Sequence, residues 1–262
     1  MKYEISGTVM QTVAIDLAPG EIVYSQTNCM CWMNDQVDMN TNTGGGLLAG
    51  LKRGLAGGSL FVTDFTARGQ GHVAFAPRFP GKIMPVALAA GQSLICRKET
   101  FLAAEKSVQL AIAWQKKIGA GFFGGEGFIL QKVTGPGTVF LDLSGETVER
   151  DLKPGEKFLV HAGHVGVMEP SVQFDIQLVP GFKNILFGGE GLFLATLTGP
   201  GHVVMQSMPI VNLAESIAPY LPQPSGSSTG AGGAIGNAAA GAAGAAVVGG
   251  ILGSLLGGSD KS

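Results

Sequence analysis

Several residues in this sequence have side chains that could do metal or acid–base chemistry, and their spacing decides what that chemistry would be. Cys29-Met30-Cys31-Trp32-Met33 sets sulfur at alternate positions. On a strand Cys29, Cys31 and Met33 share a face, where soft ligands suit Cu(I) or zinc, although Cys and Met also fill ordinary cores. His161 and His164 stand three apart, which is one face of a helix but opposite faces of a strand. A strand or loop is expected there, so the two rings need a third partner to hold a metal. Glu126 and Glu190 each sit in a Gly-Glu-Gly stretch. Close carboxylates can do acid–base work or, on a common rim, bind a cation or partner, and a solvated turn is the plainer reading. His72 and His202 each follow a Gly-x-Gly turn and read as turn-flanking polar groups. Lys52 and Arg53 lie in a glycine-rich stretch, but no Gly-x-x-x-x-Gly-Lys-Ser/Thr or Gly-x-Ser-x-Gly motif accompanies them.

The elements that must position these residues come from a repeat. Pro19-Gly20-Glu21, Ala90-Gly91-Gln92 and Pro154-Gly155-Glu156 occupy one slot. Sixteen residues after each glycine stand Gln36-Val37-Asp38-Met39, Ser107-Val108-Gln109-Leu110 and Ser171-Val172-Gln173-Phe174. In the last of these Val172, Phe174, Ile176 and Leu178 alternate with Gln173, Asp175 and Gln177, the period of a half-buried strand. A second block, Gly124-Gly125-Glu126-Gly127 leading to Gly135-Pro136-Gly137, recurs at Gly188 and, more loosely, at Gly57. Proline fixes φ and glycine accepts positive φ, so these are turns between short strands. The expectation is an all-β body of three pseudo-symmetric repeats, a sandwich or β-helix-like coil, with units of about 1–58, 59–122 and 123–221. Asn212 with Glu215 resembles a capping box opening a short C-terminal helix.

Composition narrows the function classes. The net charge is −2 over 262 residues with Lys and Arg scattered, which lacks the basic stripe that phosphate binding needs. Three cysteines do not make a disulfide framework, and reduced, cytoplasm-type thiols are expected. The N-terminal residues show no apolar signal segment. After a 222–229 linker rich in Pro, Ser and Gly, residues 230–262 form a Gly/Ala-rich tail, uncharged as far as Ser259. Gly241, Gly249, Gly253 and Gly257 would line one helical stripe suited to close helix approach or a membrane. The tail therefore reads as low-complexity coil, as a membrane segment, or as an oligomer contact.

The stretch Gly44-Gly45-Gly46-Leu47-Leu48-Ala49-Gly50-Leu51-Lys52-Arg53-Gly54-Leu55, followed by Gly58-Ser59-Leu60-Phe61, resembles the signature of the AIM24 family. The Pro-Gly-Glu, Gly-Gly-Glu-Gly and Gly-Pro-Gly motifs fit that resemblance, which covers roughly residues 1–221. It implies a fold like that of the tryptophan RNA-binding attenuation protein (TRAP-like), with β units in pseudo-threefold arrangement and assembly as a homotrimer. It supplies no catalytic residues. The reading is then a non-enzymatic trimeric scaffold or assembly protein with no cofactor and no nucleic-acid partner. It would be cytoplasmic and peripheral to the inner face of a membrane through its tail. The alternative is a small-ligand or metal-binding module with a site between repeats.

Overall fold

The computed structural model describes residues 1–42, 62–116, 127–178, 193–217 and 220. Its organising elements are three equivalent turns. Gly20, Gly91 and Gly155 adopt φ of 84°, 79° and 77°, a region open to glycine without strain. Each turn closes with a backbone bond, from Glu21 N to Ala18 O, from Gln92 N to Ala89 O and from Glu156 N to Lys153 O. The residue after each glycine bonds the same turn a second time. Glu21 Oε2 accepts from Ala18 N, Gln92 Oε1 from Ala89 N, and Glu156 Oε2 from Lys153 N. An acid or amide follows each turn glycine because its side chain satisfies a backbone donor that the turn would otherwise leave open.

Strands flank these turns in three groups. The first holds β1 (Lys2–Ser6), β2 (Thr12–Leu17), β3 (Ile22–Gln26), β4 (Met30–Met33), β5 (Val37–Asn42), β6 (Val62–Ala67) and β7 (Gly71–Phe75). The second holds β8 (Gly81–Leu88), β9 (Ser93–Arg97), β10 (Phe101–Glu105), β11 (Gln109–Lys116), β12 (Phe128–Thr134) and β13 (Gly137–Ser144). The third holds β14 (Thr147–Leu152), β15 (Lys157–His161), β16 (Val165–Met168), β17 (Gln173–Leu178), β18 (Phe193–Thr198) and β19 (Gly201–Gln206). The fold is all-β, and the named ladders are antiparallel. Among the described residues the sheets run β1-β2-β7-β4, β5-β6-β3-β10-β13-β8, β11-β12-β9-β16-β19-β14 and β15-β18-β17. The two six-stranded sheets therefore each join one group to the next, through β3 against β10 and β9 against β16.

Each group folds its two half-sheets face to face over an apolar core. Phe65, Phe75 and Ile15 fill the first, Phe101, Leu141 and Val133 the second, and Phe128, Ile176 and Leu197 the third. The alternation expected around Val172 is present, with Val172 and Ile176 buried and Gln173, Asp175 and Gln177 exposed. Core residues also cross groups, as Phe128 of β12 does by packing in the third core. Phe140 belongs to β13 but packs in the first core, edge-on to Tyr3 at 5.0 Å.

The short C-terminal helix is present as α1 (Ile210–Ile217), but its start differs from the expectation. The carbonyl of Pro209 accepts from Asn212 N and Leu213 N, so Asn212 already lies inside the first turn and does not cap it. Proline at the mouth of the helix fixes φ where no N–H partner exists, and that displaces the capping box.

Candidate functional site

Where the three strand groups meet, a cavity of about 60 Å³ is lined by polar side chains that apolar cores rarely hold. The ends of successive strands build it. Gln26 ends β3, Arg97 ends β9, and Asp142 and Ser144 close β13. Gln206 ends β19, Cys29 precedes β4, and Arg78 comes from the β7–β8 connection. Ile210, at the start of α1, completes the wall.

The polar groups are tied together across group boundaries. Gln26 Nε2 donates to Lys98 O at 2.5 Å, and Arg97 Nη1 donates to Gly163 O at 2.8 Å. Gln206 Nε2 donates to the same Gly163 carbonyl at 3.1 Å, while its Oε1 accepts from Ser144 N at 3.0 Å. The fully buried Arg97 also meets Glu99 at 3.1 Å and lies over the Phe128 ring, so its charge is paired and its plane is packed. Asp142 is less well served. Burial pushes its carboxyl up to about 7, with Arg78 pulling the other way, and its Oδ1 has no hydrogen-bond partner. Burial also raises the Cys29 thiol, again opposed first by Arg78. Space of this size holds a few water molecules, whereas ligand pockets for organic molecules run to about 300 Å³ or more.

Cys29 and Cys31 do not form the shared sulfur face that the spacing predicts. A bulge between Met30 and Trp32 breaks the alternation, leaving Cys29 buried at the cavity and Cys31 exposed. An extra residue in one strand turns the following side chains, and nothing in the cysteine spacing announces it. His161 and His164 depart in the opposite sense. A single 3-10 turn, Ala162–His164, brings their rings to 5.6 Å, edge to face. His164 Nδ1 lies 2.8 Å from Gln206 O, and His161 is held below its usual pKa by burial, then by the nearby His164 and Arg97 charges. Among the described residues no three His, Cys, Asp or Glu side chains come together as a metal-ligand set. Glu126, Glu190, Lys52, Arg53 and the glycines Gly241, Gly249, Gly253 and Gly257 lie outside the described residues.

Sequence reasoning also passed over one recurring pair. His72 Nδ1 sits 2.9 Å from Asp16 Oδ1, and His202 Nδ1 sits 2.7 Å from Asp151 Oδ1, each across an antiparallel ladder at the surface. The signal was available. Asp16 and Asp151 each stand four residues before a turn glycine, and the middle block replaces both partners, with Ala87 and Thr138.

Antiparallel half-sheets joined edge to edge around a small polar cavity define an all-β protein. The family model for mitochondrial biogenesis AIM24 matches residues 3–208, and the chain belongs to that family. An uncharacterized protein of Streptococcus pyogenes serotype M6 is 31% identical over 221 residues, covering 81% of this chain and 88% of that relative. A crystal structure of a Streptococcus pyogenes protein superposes with a TM-score of 0.70 at 28% identity, covering 84% of this chain and 99% of the other.

Proposed function

We propose that this protein is a non-enzymatic scaffold whose β body, of pseudo-threefold TRAP-like design, assembles with copies of itself, as a homotrimer, and presents its C-terminal tails to a membrane. The observation that carries the reading is how the chain joins its own strand groups. They are connected by continuing a sheet edge to edge, β3 to β10 and β9 to β16, the kind of contact by which β proteins also associate between chains. The tail supports the second half of the proposal. It is uncharged from Thr229 to Ser259 and carries the Gly241, Gly249, Gly253 and Gly257 stripe. Three weakly apolar tails on one body would bind a bilayer with an avidity that one lacks. No helix among the described residues is long and apolar enough to cross a membrane, so attachment is assigned to the tail alone.

Removing residues 225–262 tests the membrane half. Full-length protein is expected to float with liposomes of mixed neutral and anionic lipid, and the truncated protein to stay at the bottom of the gradient. Equal flotation of the two would remove the tail from the account.

A second reading, a small-ligand or metal-binding module, is favoured by one observation: the polar cavity lies between strand groups and takes in Cys29, Arg78 and Asp142. Its size restricts the occupant to an ion or a few waters. A panel of divalent metals and small anions that leaves the melting temperature unchanged would eliminate it.

A further inference from the structure

The cavity at the meeting point of the strand groups carries an unbalanced charge. Among the described residues four charged side chains line it, Arg78, Arg97, Glu99 and Asp142. Arg97 and Glu99 cancel, since their side chains meet at 3.1 Å, and Arg97 donates besides to Gly163 O. Arg78 has no such counterweight. It donates to the Thr27 carbonyl and to the Cys29 thiol, both neutral acceptors. On Asp142 it acts through charge alone, without a hydrogen bond, and burial outweighs that pull, so the carboxyl keeps its proton up to about pH 7. Wherever Asp142 is protonated, the cavity is left with the positive charge of Arg78.

The hydrogen-bonding groups lean the same way. Buried Gln206 has spent both ends of its amide, on Gly163 O and on Ser144 N. A protonated carboxyl is a donor, and Oδ1 of Asp142 is buried with no partner. A guanidinium carries more N–H donors than the two contacts of Arg78 use. An occupant that fits must therefore accept hydrogen bonds and carry negative charge. A cation would add to the surplus, and water would leave it uncancelled. About 60 Å³ suits a single ion and excludes a sugar or a nucleotide. Arg78 is itself exposed, which gives an ion in solvent a way in.

We propose that the cavity binds one small monovalent anion, held between the Arg78 guanidinium and the protonated Asp142 carboxyl. This rests on the reading of the chain as a small-ligand module and names the ligand class. The anion cancels the charge of Arg78 and accepts the hydrogen for which Asp142 has no partner. Ionised Asp142 competes with it for Arg78, so anion and proton enter together. Each favours the other: a bound anion holds the proton on Asp142, and loss of the proton releases the anion. The other ionisable groups at the cavity do not reverse this, because burial keeps the Cys29 thiol neutral and Glu99 is paired with Arg97. Since only the protonated fraction binds, affinity falls about tenfold between pH 6 and pH 8.

Chloride NMR linewidths test it, with gluconate, too large for the cavity, holding the ionic strength constant. The wild-type chain is expected to broaden the chloride resonance at pH 6 and to bind about tenfold more weakly at pH 8, with nitrate competing the broadening away. Arg78→Gln is expected to abolish it at both pH values while retaining the far-UV spectrum. In Asp142→Asn the amide donates at every pH, so binding persists and no longer depends on pH. Should Arg78→Gln fail to fold, the pH profiles of wild type and Asp142→Asn decide alone. Broadening that survives in folded Arg78→Gln, or wild-type binding as tight at pH 8 as at pH 6, would overturn the proposal. So would its absence from the wild type. Divalent cations that then raise the melting temperature would leave the ligand-module reading standing without the anion, and no response to either kind of ion would remove both.

Discussion

Replacing Asp142 by Asn flattens the protein's loss of stability between about pH 4 and pH 7. The Asp142 carboxyl rises from 3.8 to about 7 because burial disfavours its charge. Between those values the folded chain keeps a proton that the unfolded chain releases. Folding is therefore supported fully at low pH, and the support fades as pH climbs through 7. The full effect is at most about 4 kcal/mol, since each pH unit of separation corresponds to roughly 1.4 kcal/mol. Asn keeps the shape of the protonated acid without the titration. Urea unfolding of both proteins across this range is expected to show the variant gaining on the wild type as pH rises. A stability difference that is the same at pH 4 and pH 8 would remove the buried charge from the account. Comparing the two proteins at each pH cancels the exposed acids Glu156 and Asp175, whose carboxyls are held low chiefly by side-chain hydrogen bonds to Arg150 and Gln177.

Phe140→Ala is expected to cost about 3–5 kcal/mol, the range for truncating a fully buried phenylalanine. The position magnifies the loss. Phe140 stands on the second group's β13, pairs with Ala103 and Pro85, and fills the first group's core against Tyr3. Truncation therefore opens a void at the joint between groups rather than inside one of them. Phe140→Leu keeps most of the volume and is expected to cost only about 1 kcal/mol. Chemical denaturation with unchanged m-values checks both, and a difference between them below the error of the fit would contradict the packing assigned to this ring.

Much of the fold could be read from local chemistry. The Pro-Gly-Glu slots predicted turns because proline and glycine fix opposite signs of φ, and the structure adds that the following Glu or Gln bonds the turn. The apolar alternation from Val172 onward predicted a half-buried strand, since period two is dictated by the pleat. The site was less legible. The spacing puts Cys29 and Cys31 on one face, because a bulge leaves no trace in residue spacing. Strand spacing keeps His161 and His164 apart, because a single 3-10 turn of Ala-Gly-His has no periodicity to detect. Asp142 and Arg78 carry no signal in the sequence, since each is an isolated charge in its own segment and only the tertiary fold brings them together at the cavity. The His72–Asp16 and His202–Asp151 pairs were within reach, because the middle block changes both partners at once.

Assembly of this β body with copies of itself is read from the native mass of the purified full-length chain. A discrete species of several copies, three for the homotrimer, that persists on dilution is the expected result. A mass of 26.8 kDa at every concentration examined would contradict it.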